Sequence, residues 1–524
     1  MASSYMTPGV YIEEKNAFPG SAVAVATAVP VFIGYTEKAE RNGISLVKEP
    51  VRVTSFAEYV QWFGHGFQHK FGLAGALSSP PSSPPAPARI EKFNADMVVK
   101  PDEMFYFYNC IRLFYQNGGA NCYIMSLGTY GEGADKKTAV DVADLPDELF
   151  TKLEKTFEPT MVLIPDFVTK RSDCYNLYVK ILRHCEKTQS RFGIFDVIPA
   201  KDETMDATLL EFRDKIGSEA LNYGAAYYPW LNTSIVMASE INFTNLDLTP
   251  DDLKTILPEK DVTEVIDKWK KNIGPKLAAP SSPPSSPPAV VAETKAESEA
   301  REQKENTVLH QSLIASSVVY TQIMAEVRNK LNLLPPSAAM AGIYSLVDST
   351  RGVWKSPANV SVSMVTSPAV NISSDEQQTM NIDAITGKSI NAIRPFPGLG
   401  SLVWGARTLD GNSQDWRYIN VRRTMIMIEQ SLKLACRAYV FEPNDSGTWV
   451  TMKSMMNNFL NNLWKQGALN GAVPEQAFDV QVGLGATMTP TDILDGYLLV
   501  TIKLALVRPA EFIVLTFQQQ QQQS

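Results

Sequence analysis

Histidine is scarce in this chain: four in 524 residues, at positions 65, 69, 184 and 310. Histidine is the commonest general acid or base, so its scarcity leaves few places for proton-transfer chemistry. His65 and His69 in "GHGFQH" have the i, i+4 spacing of a helical metal pair. Gly64 and Gly66 weaken the helix that such a pair needs, and no neighbouring Cys or carboxylate completes a site. No metal is expected. His184 is followed directly by Cys185, but consecutive residues on a helix face different ways, so a surface His184 is expected instead of a dyad. The five cysteines (110, 122, 174, 185, 436) are odd in number and form no CxxC pair. That argues against a disulfide framework and for assembly in a reducing cytoplasm. Phosphate loops are missing too: "GLGSLVWG" and "GLGATMTP" begin as GxG but reach neither GxxG nor GK[ST]. No GxSxG elbow occurs. Neither a catalytic residue nor a cofactor is expected. With 48 basic against 56 acidic side chains and no basic block, nucleic acid and anionic membrane are poor partners. The most apolar run, 22–35, is broken by Pro30 and falls short of the roughly 20 residues of a membrane helix. No direct membrane insertion and no secretory signal are expected.

A hydrophobic content of 44% with 20% charged residues suits a soluble globular protein, and the length suits several domains. The octapeptide "SSPPSSPP" occurs at 78–85 and again at 281–288. Its prolines remove hydrogen-bond donors and favour extended chain, so both copies read as exposed spacers. The stretch 102–128 reads as an amphipathic helix, a Gly118–Gly119 stop and a buried strand. "TMVLIPD" and "RFGIFDVI" are further strands between helical phrases, and this alternation argues for an α/β layer structure. "LTPDDLKTIL" carries Thr249 as N-cap, Pro250 behind it and Asp252 to close a capping box. Leu309, Leu313, Ile323, Met324, Val327 and Leu331 mark one long amphipathic helix, ended by Pro335–Pro336. Two more helices are expected over 415–439 and 448–469.

The ends of the chain carry their own signal. "TPGVYIEEKN" (7–16) alternates apolar and polar residues, with Val10 and Ile12 on one face and Tyr11 and Glu13 on the other. "EFIVLTF" (511–517) is a short apolar strand followed by six glutamines. Terminal strands with free edges either fold back on their own sheet or pair with other chains.

"PGVYIEE", "NYGAAYYPWL" (222–231), "PPSAAMAGIYSLVDSTRGVWKSPAN" (335–359) and "INAIRPFPGLGSLVWGARTL…WRYINVRRTMIMIEQSL" (390–432) together resemble the contractile tail sheath family. Further anchors fall at 110–125, 161–166 and 191–199. The start of the chain is most similar to sheaths of extracellular, phage-derived injection particles, with contractile phage tails the runner-up. The resemblance implies a mixed α/β, multidomain fold with a subtilisin-like α/β region, but no histidine sits in a phrase that would make a protease triad. A subtilisin-fold hydrolase is the alternative. The implied organisation is an N-terminal arm (1–20), a variable β-rich outer region (21–97) with its spacer, and an α/β sheath domain (98–240). A helical insert with a Pro/Ser linker (241–306), a C-terminal sheath domain facing an inner tube (307–505) and a C-terminal arm with a Gln tail (506–524) follow.

The resemblance further implies a structural subunit that polymerises helically around an inner tube, extended at first, and then contracts. Its partners would be copies of itself, the inner tube protein, and baseplate and terminal cap proteins. The particle would assemble in a bacterial cytoplasm and could be released. Val10, Tyr11, Ile12 and Glu13 of one arm, and Phe512, Ile513, Val514 and Leu515 of the other, would add strands to sheets of neighbouring subunits. Lys453 and Lys465 are the cations of the helix that would face the inner tube. Arg422 and Arg423 are candidates for charge pairing, with Glu429 or with another subunit. "DSTRG" (348–352) then reads as a structural turn before a core-filling Trp354.

Overall fold

The run "PVFIGYT", Pro30–Thr36, is buried at every position, as expected of a strand covered on both faces. It lies between Met161–Leu163 and Cys122–Thr129 and runs parallel to both. Phe192–Asp196, Gly224–Tyr228 and Asn391–Phe396 extend the parallel ladder on the Met161 side. Antiparallel strands close the edges: Pro50–Val53 at one, Gly400–Trp404 and Val360–Ser361 at the other. These make one nine-stranded sheet. Alternation sends Val31, Ile33 and Tyr35 to one face, under the helices Asp147–Glu154, Ser172–Thr188 and Met205–Lys215. Phe32 faces the other way, toward Phe56–Phe63, Phe107–Gln116 and Ser337–Arg351.

This computed structural model describes residues 22–73, 97–98, 104–131, 136–199, 204–257, 259–273, 295–383 and 385–515. The strand expected around Val10, Tyr11, Ile12 and Glu13 and both Pro/Ser spacers lie outside the described residues.

Local chemistry places most elements where the spacing expects them. Gly118, at φ +92°, follows the Phe107–Gln116 helix as a residue without Cβ can. The Thr249–Asp252 capping box starts Pro250–Ile256. The small residues of "SAAMAG" do bring helices together: a Cβ on Gly342 would stand 2.5 Å from the Phe114 carbonyl oxygen.

Three expectations change. The region expected to be β-rich, 21–97, holds a helix as well, Phe56–Phe63, capped by Ser55. Within the expected β-rich outer region 21–97, Pro30–Thr36 and Pro50–Val53 belong to the main sheet. The long helix expected up to Pro335–Pro336 is two, Lys295–Ser316 and Val318–Leu331, broken where Ser317 caps the second and hydrogen-bonds Glu259. These two helices, with Pro250–Ile256 and Lys260–Ile273, bury a core of their own around Leu253, Ile266, Leu313 and Tyr320.

The last layer has another core. Helices Ile419–Cys436 and Ser446–Lys465 close over Met452, Met456, Phe459 and Val480. A two-stranded antiparallel sheet, Phe478–Val482 with Val500–Leu504, lies against the second helix. Trp354 is partly buried against this core, after Gly352 (φ +87°) caps the Ser337–Arg351 helix.

Candidate assembly interface

A two-stranded sheet has two outer edges, each a row of unpaired backbone N–H and C=O groups. Among the described residues no further strand pairs with Phe478–Val482 or with Val500–Leu504. Alone, such a ribbon is marginal in water; here its inward side chains, Val480 foremost, rest on the methionines of Ser446–Lys465. That packing holds the edges rigid and leaves them open.

The chain leaves this ribbon through residues 505–510. Glu511 is then seized. Arg407 donates to both of its carboxylate oxygens, from Nη2 at 2.6 Å and from Nε at 3.0 Å. Asn381 Nδ2 donates at 2.8 Å and the Tyr418 hydroxyl at 3.2 Å. Burial raises the Glu511 carboxyl, and these donors outweigh it, leaving it below the ordinary carboxylate range. Just before it, Asn420 Nδ2 donates to the Val507 carbonyl at 3.0 Å.

Beyond Glu511, Phe512, Ile513, Val514 and Leu515 are 69, 79, 86 and 72% exposed. They form no strand within their own chain, and no backbone hydrogen bond is made by them among the described residues. The sequence leads one to expect a strand here. The apolar run is present, but among the described residues no strand pairs with it.

The entry side is built alike. Arg423 donates to both oxygens of Asp348, at 2.9 and 2.6 Å, and to the Thr27 carbonyl at 3.0 Å. Thr27 Oγ1 donates to the same carboxylate at 2.6 Å, and the Val25 N–H donates to Ser431 Oγ at 3.0 Å. Arg423 also lies over the Tyr344 ring, 4.5 Å from its centroid. Arg422 is clamped between Tyr223 at 3.9 Å and Trp416 at 4.7 Å. Both arginines are 4% exposed. The charge pairing expected of Arg423 between subunits is thus made inside the subunit, because Ser337–Arg351 brings Asp348 to it.

Lys453 and Lys465 stand exposed on Ser446–Lys465, without an ion-pair partner among the described residues. They are separated by about 18 Å of helix axis and a third of a turn. Three of the histidines are bonded structurally. His69 Nε2 accepts the Phe105 N–H at 2.9 Å, and His310 Nδ1 meets the Tyr320 hydroxyl at 2.8 Å. His184 is buried against Arg191, not at the surface. Among the described residues no histidine nitrogen has a serine hydroxyl as partner, and no cluster of metal-ligating side chains occurs.

With this geometry in view, the known proteins fall into place. Residues 412–520 match the phage tail sheath C-terminal domain. The tail sheath protein of Vibrio phage KVP40 is 24% identical over 185 residues, covering 35% of this chain and 26% of that protein. That of Burkholderia phage BcepMu is 29% identical over 188 residues, covering 35% of this chain and 38% of its own. The matched stretch therefore spans well under half of these curated relatives. Solved structures match from end to end. The sheath of the extracellular contractile injection system PVC, in its contracted state, is 25% identical, covers 99% of both chains and superposes with a TM-score of 0.59. The contracted helical sheath of the anti-feeding prophage is 26% identical, covers 99% of this chain and all of its own, and gives 0.58.

Proposed function

We propose that this chain, a member of the contractile tail sheath family by its C-terminal domain and its end-to-end likeness to solved sheath subunits, is the structural subunit of a contractile injection particle. Copies polymerise helically around an inner tube in an extended state and contract to drive that tube through a target envelope. Baseplate and cap proteins close the two ends of the polymer. The injection-particle reading rests on solved injection-system sheaths that match 99% of this chain at 25–26% identity.

The observation that carries the reading is the pairing of two open sheet edges with an exposed apolar tail in one chain. Phe512–Leu515 of one subunit supplies a strand to the ribbon of a neighbour, and the N-terminal residues around Val10–Glu13 supply another. About five main-chain hydrogen bonds at ~0.5–1.5 kcal/mol each contribute on the order of 3–7 kcal/mol per arm. One such link is modest, and a closed mesh of them is effectively permanent. Strand addition leaves each subunit free to rotate about its arms, as contraction requires. Energy comes from new lateral contacts in the short lattice, released from a kinetically trapped long one.

Negative-stain microscopy of the chain expressed alone tests this. Hollow striated tubes are expected, in the short lattice because no inner tube templates the long one. Deleting residues 1–14 is expected to give folded monomers without tubes. Uniform monomers from the intact chain, or normal tubes from the deletion, reject the reading.

A further inference from the structure

We propose that the helix Ile419–Cys436 is a strut that fixes the roots of both arms on one rigid element, so that a pull from one neighbour reaches the other without loosening the subunit. The inference rests on the sheath reading above. Its observations are the two clasps, each of which includes bonds from this helix or its N-cap Tyr418, with Arg407 and Asn381 adding to the C-terminal one. Near the start of the helix, Tyr418 and Asn420 hold Glu511 and Val507. Within the next turn Arg423 holds Thr27, and three turns from Asn420 Ser431 holds Val25. Asn420 and Ser431 are roughly 16 Å apart along the axis.

The strut changes where each arm begins. Organisation by sequence puts the C-terminal arm at 506, yet residues 507–511 are bound to the body and the free segment starts at Phe512. On the other side, Ala22 and Val25 pack on the C-terminal core before the chain enters Pro30–Thr36. Without the clasps a pull would peel these stretches away. Each freed residue adds about 3.3 Å of slack; five to seven of them would lengthen a link by some 20 Å, and subunits hung on such links cannot keep a common helical repeat. Both Arg–carboxylate pairs are bidentate and largely desolvated, with arginine side chains 4 and 3% exposed. This is the geometry that resists being pulled open one bond at a time.

The test uses tubes of the full chain. Glu511→Gln weakens the C-terminal clasp; Thr27→Val with Ser431→Ala removes the two side-chain bonds of the N-terminal one, keeps the Arg423–Thr27 carbonyl bond and leaves every charge paired. Glu240→Gln is the control. It breaks a bidentate pair with Arg112, at 2.7 and 2.8 Å, that touches neither root. Image analysis of the tubes reads the spread of the axial repeat. Both root variants are expected to widen it at least about twofold, to a similar degree, with the control unchanged at comparable melting temperature. A folded root variant that makes no tubes, while the control does, also supports the strut. Root variants with the parent's repeat spread, or a control equally disordered, overturn it. Absence of tubes from the parent chain instead counts against the sheath reading, so the two failures are distinct.

Discussion

At the scale of the residue, buried polar groups show which contacts are architectural. Arg191 is 1% exposed and donates to the Pro159 and Leu153 carbonyls and to His184 Nε2. It is a staple across three segments, and it draws His184 inward from the surface its helical position first suggests. Burial holds the His184 imidazole down, at about 4, with Arg191 adding to the effect. Burial likewise lowers His69 to about 4, against the hydrogen bond it accepts from Phe105. A histidine kept neutral in this way adds stability above its unfolded value near 6.5 and loses it as pH falls toward 4; a shift of that size is worth about 3 kcal/mol. Asp166 and Asp196 act in the opposite sense. Burial pushes their carboxyls up to about 7 despite the bonds they accept, so their contribution is present in acid and is lost as pH rises toward 7. The comparison of a variant with its parent cancels them. His69→Gln, made in the chain lacking residues 1–14, is expected to gain about 3 kcal/mol on its parent between pH 7 and pH 4. Denaturant melts across that range would show it, and a constant difference would rule it out.

At the scale of the element, helix contacts rest on the smallest side chains. Ser337–Arg351 crosses Phe107–Gln116 at Gly342, where there is no room for a methyl group. Gly342→Ala is therefore expected to cost about 1–3 kcal/mol by forcing the two helices apart, despite alanine's better helix propensity. An unchanged urea midpoint would show that the contact relaxes freely. The need for small residues was legible in "SAAMAG", and the Thr249 cap was legible in "LTPDD", because both depend on neighbours in sequence. The break at Ser317 was not. No Gly or Pro marks it, and the serine caps Val318–Leu331 while bonding Glu259, which lies 58 positions away. The main strands were legible for a related reason: "TMVLIPD" and "RFGIFDVI" carry the mostly apolar runs of a sheet covered on both faces.

At the scale of the whole molecule, the proposed sheath assigns Lys453 and Lys465, exposed and without an ion-pair partner among the described residues, to the inner tube. Lys453 and Lys465 have the exposure that a releasable tube contact needs, and such pairs contribute only about 0–1 kcal/mol each. Weak contacts suit a tube that must slide free. Reversing both, Lys453→Glu with Lys465→Glu, is expected to leave melting unchanged and to prevent assembly in the long lattice around the inner tube. Co-sedimentation with the tube at the parent's level would dismiss the assignment. Arg422 and Arg423 teach the converse. As two adjacent cations in a helical phrase they read as candidates for pairing with Glu429 or another subunit, and only the packed fold shows Arg422 enclosed by aromatic rings and Arg423 bound to Asp348.

Sequence by itself determined the α/β alternation, the caps, the scarcity of groups for acid–base chemistry and the family resemblance. These follow from composition, period and local chemistry, which need no knowledge of distant contacts. Tertiary structure alone decided that Pro30–Thr36 sits inside the main sheet, that Arg423 is spent on Asp348 and Thr27, and that the free tail begins at Phe512. Each of those depends on which residues the fold brings within hydrogen-bonding reach across 75 to 396 positions of chain, and nothing in a linear pattern encodes such distances.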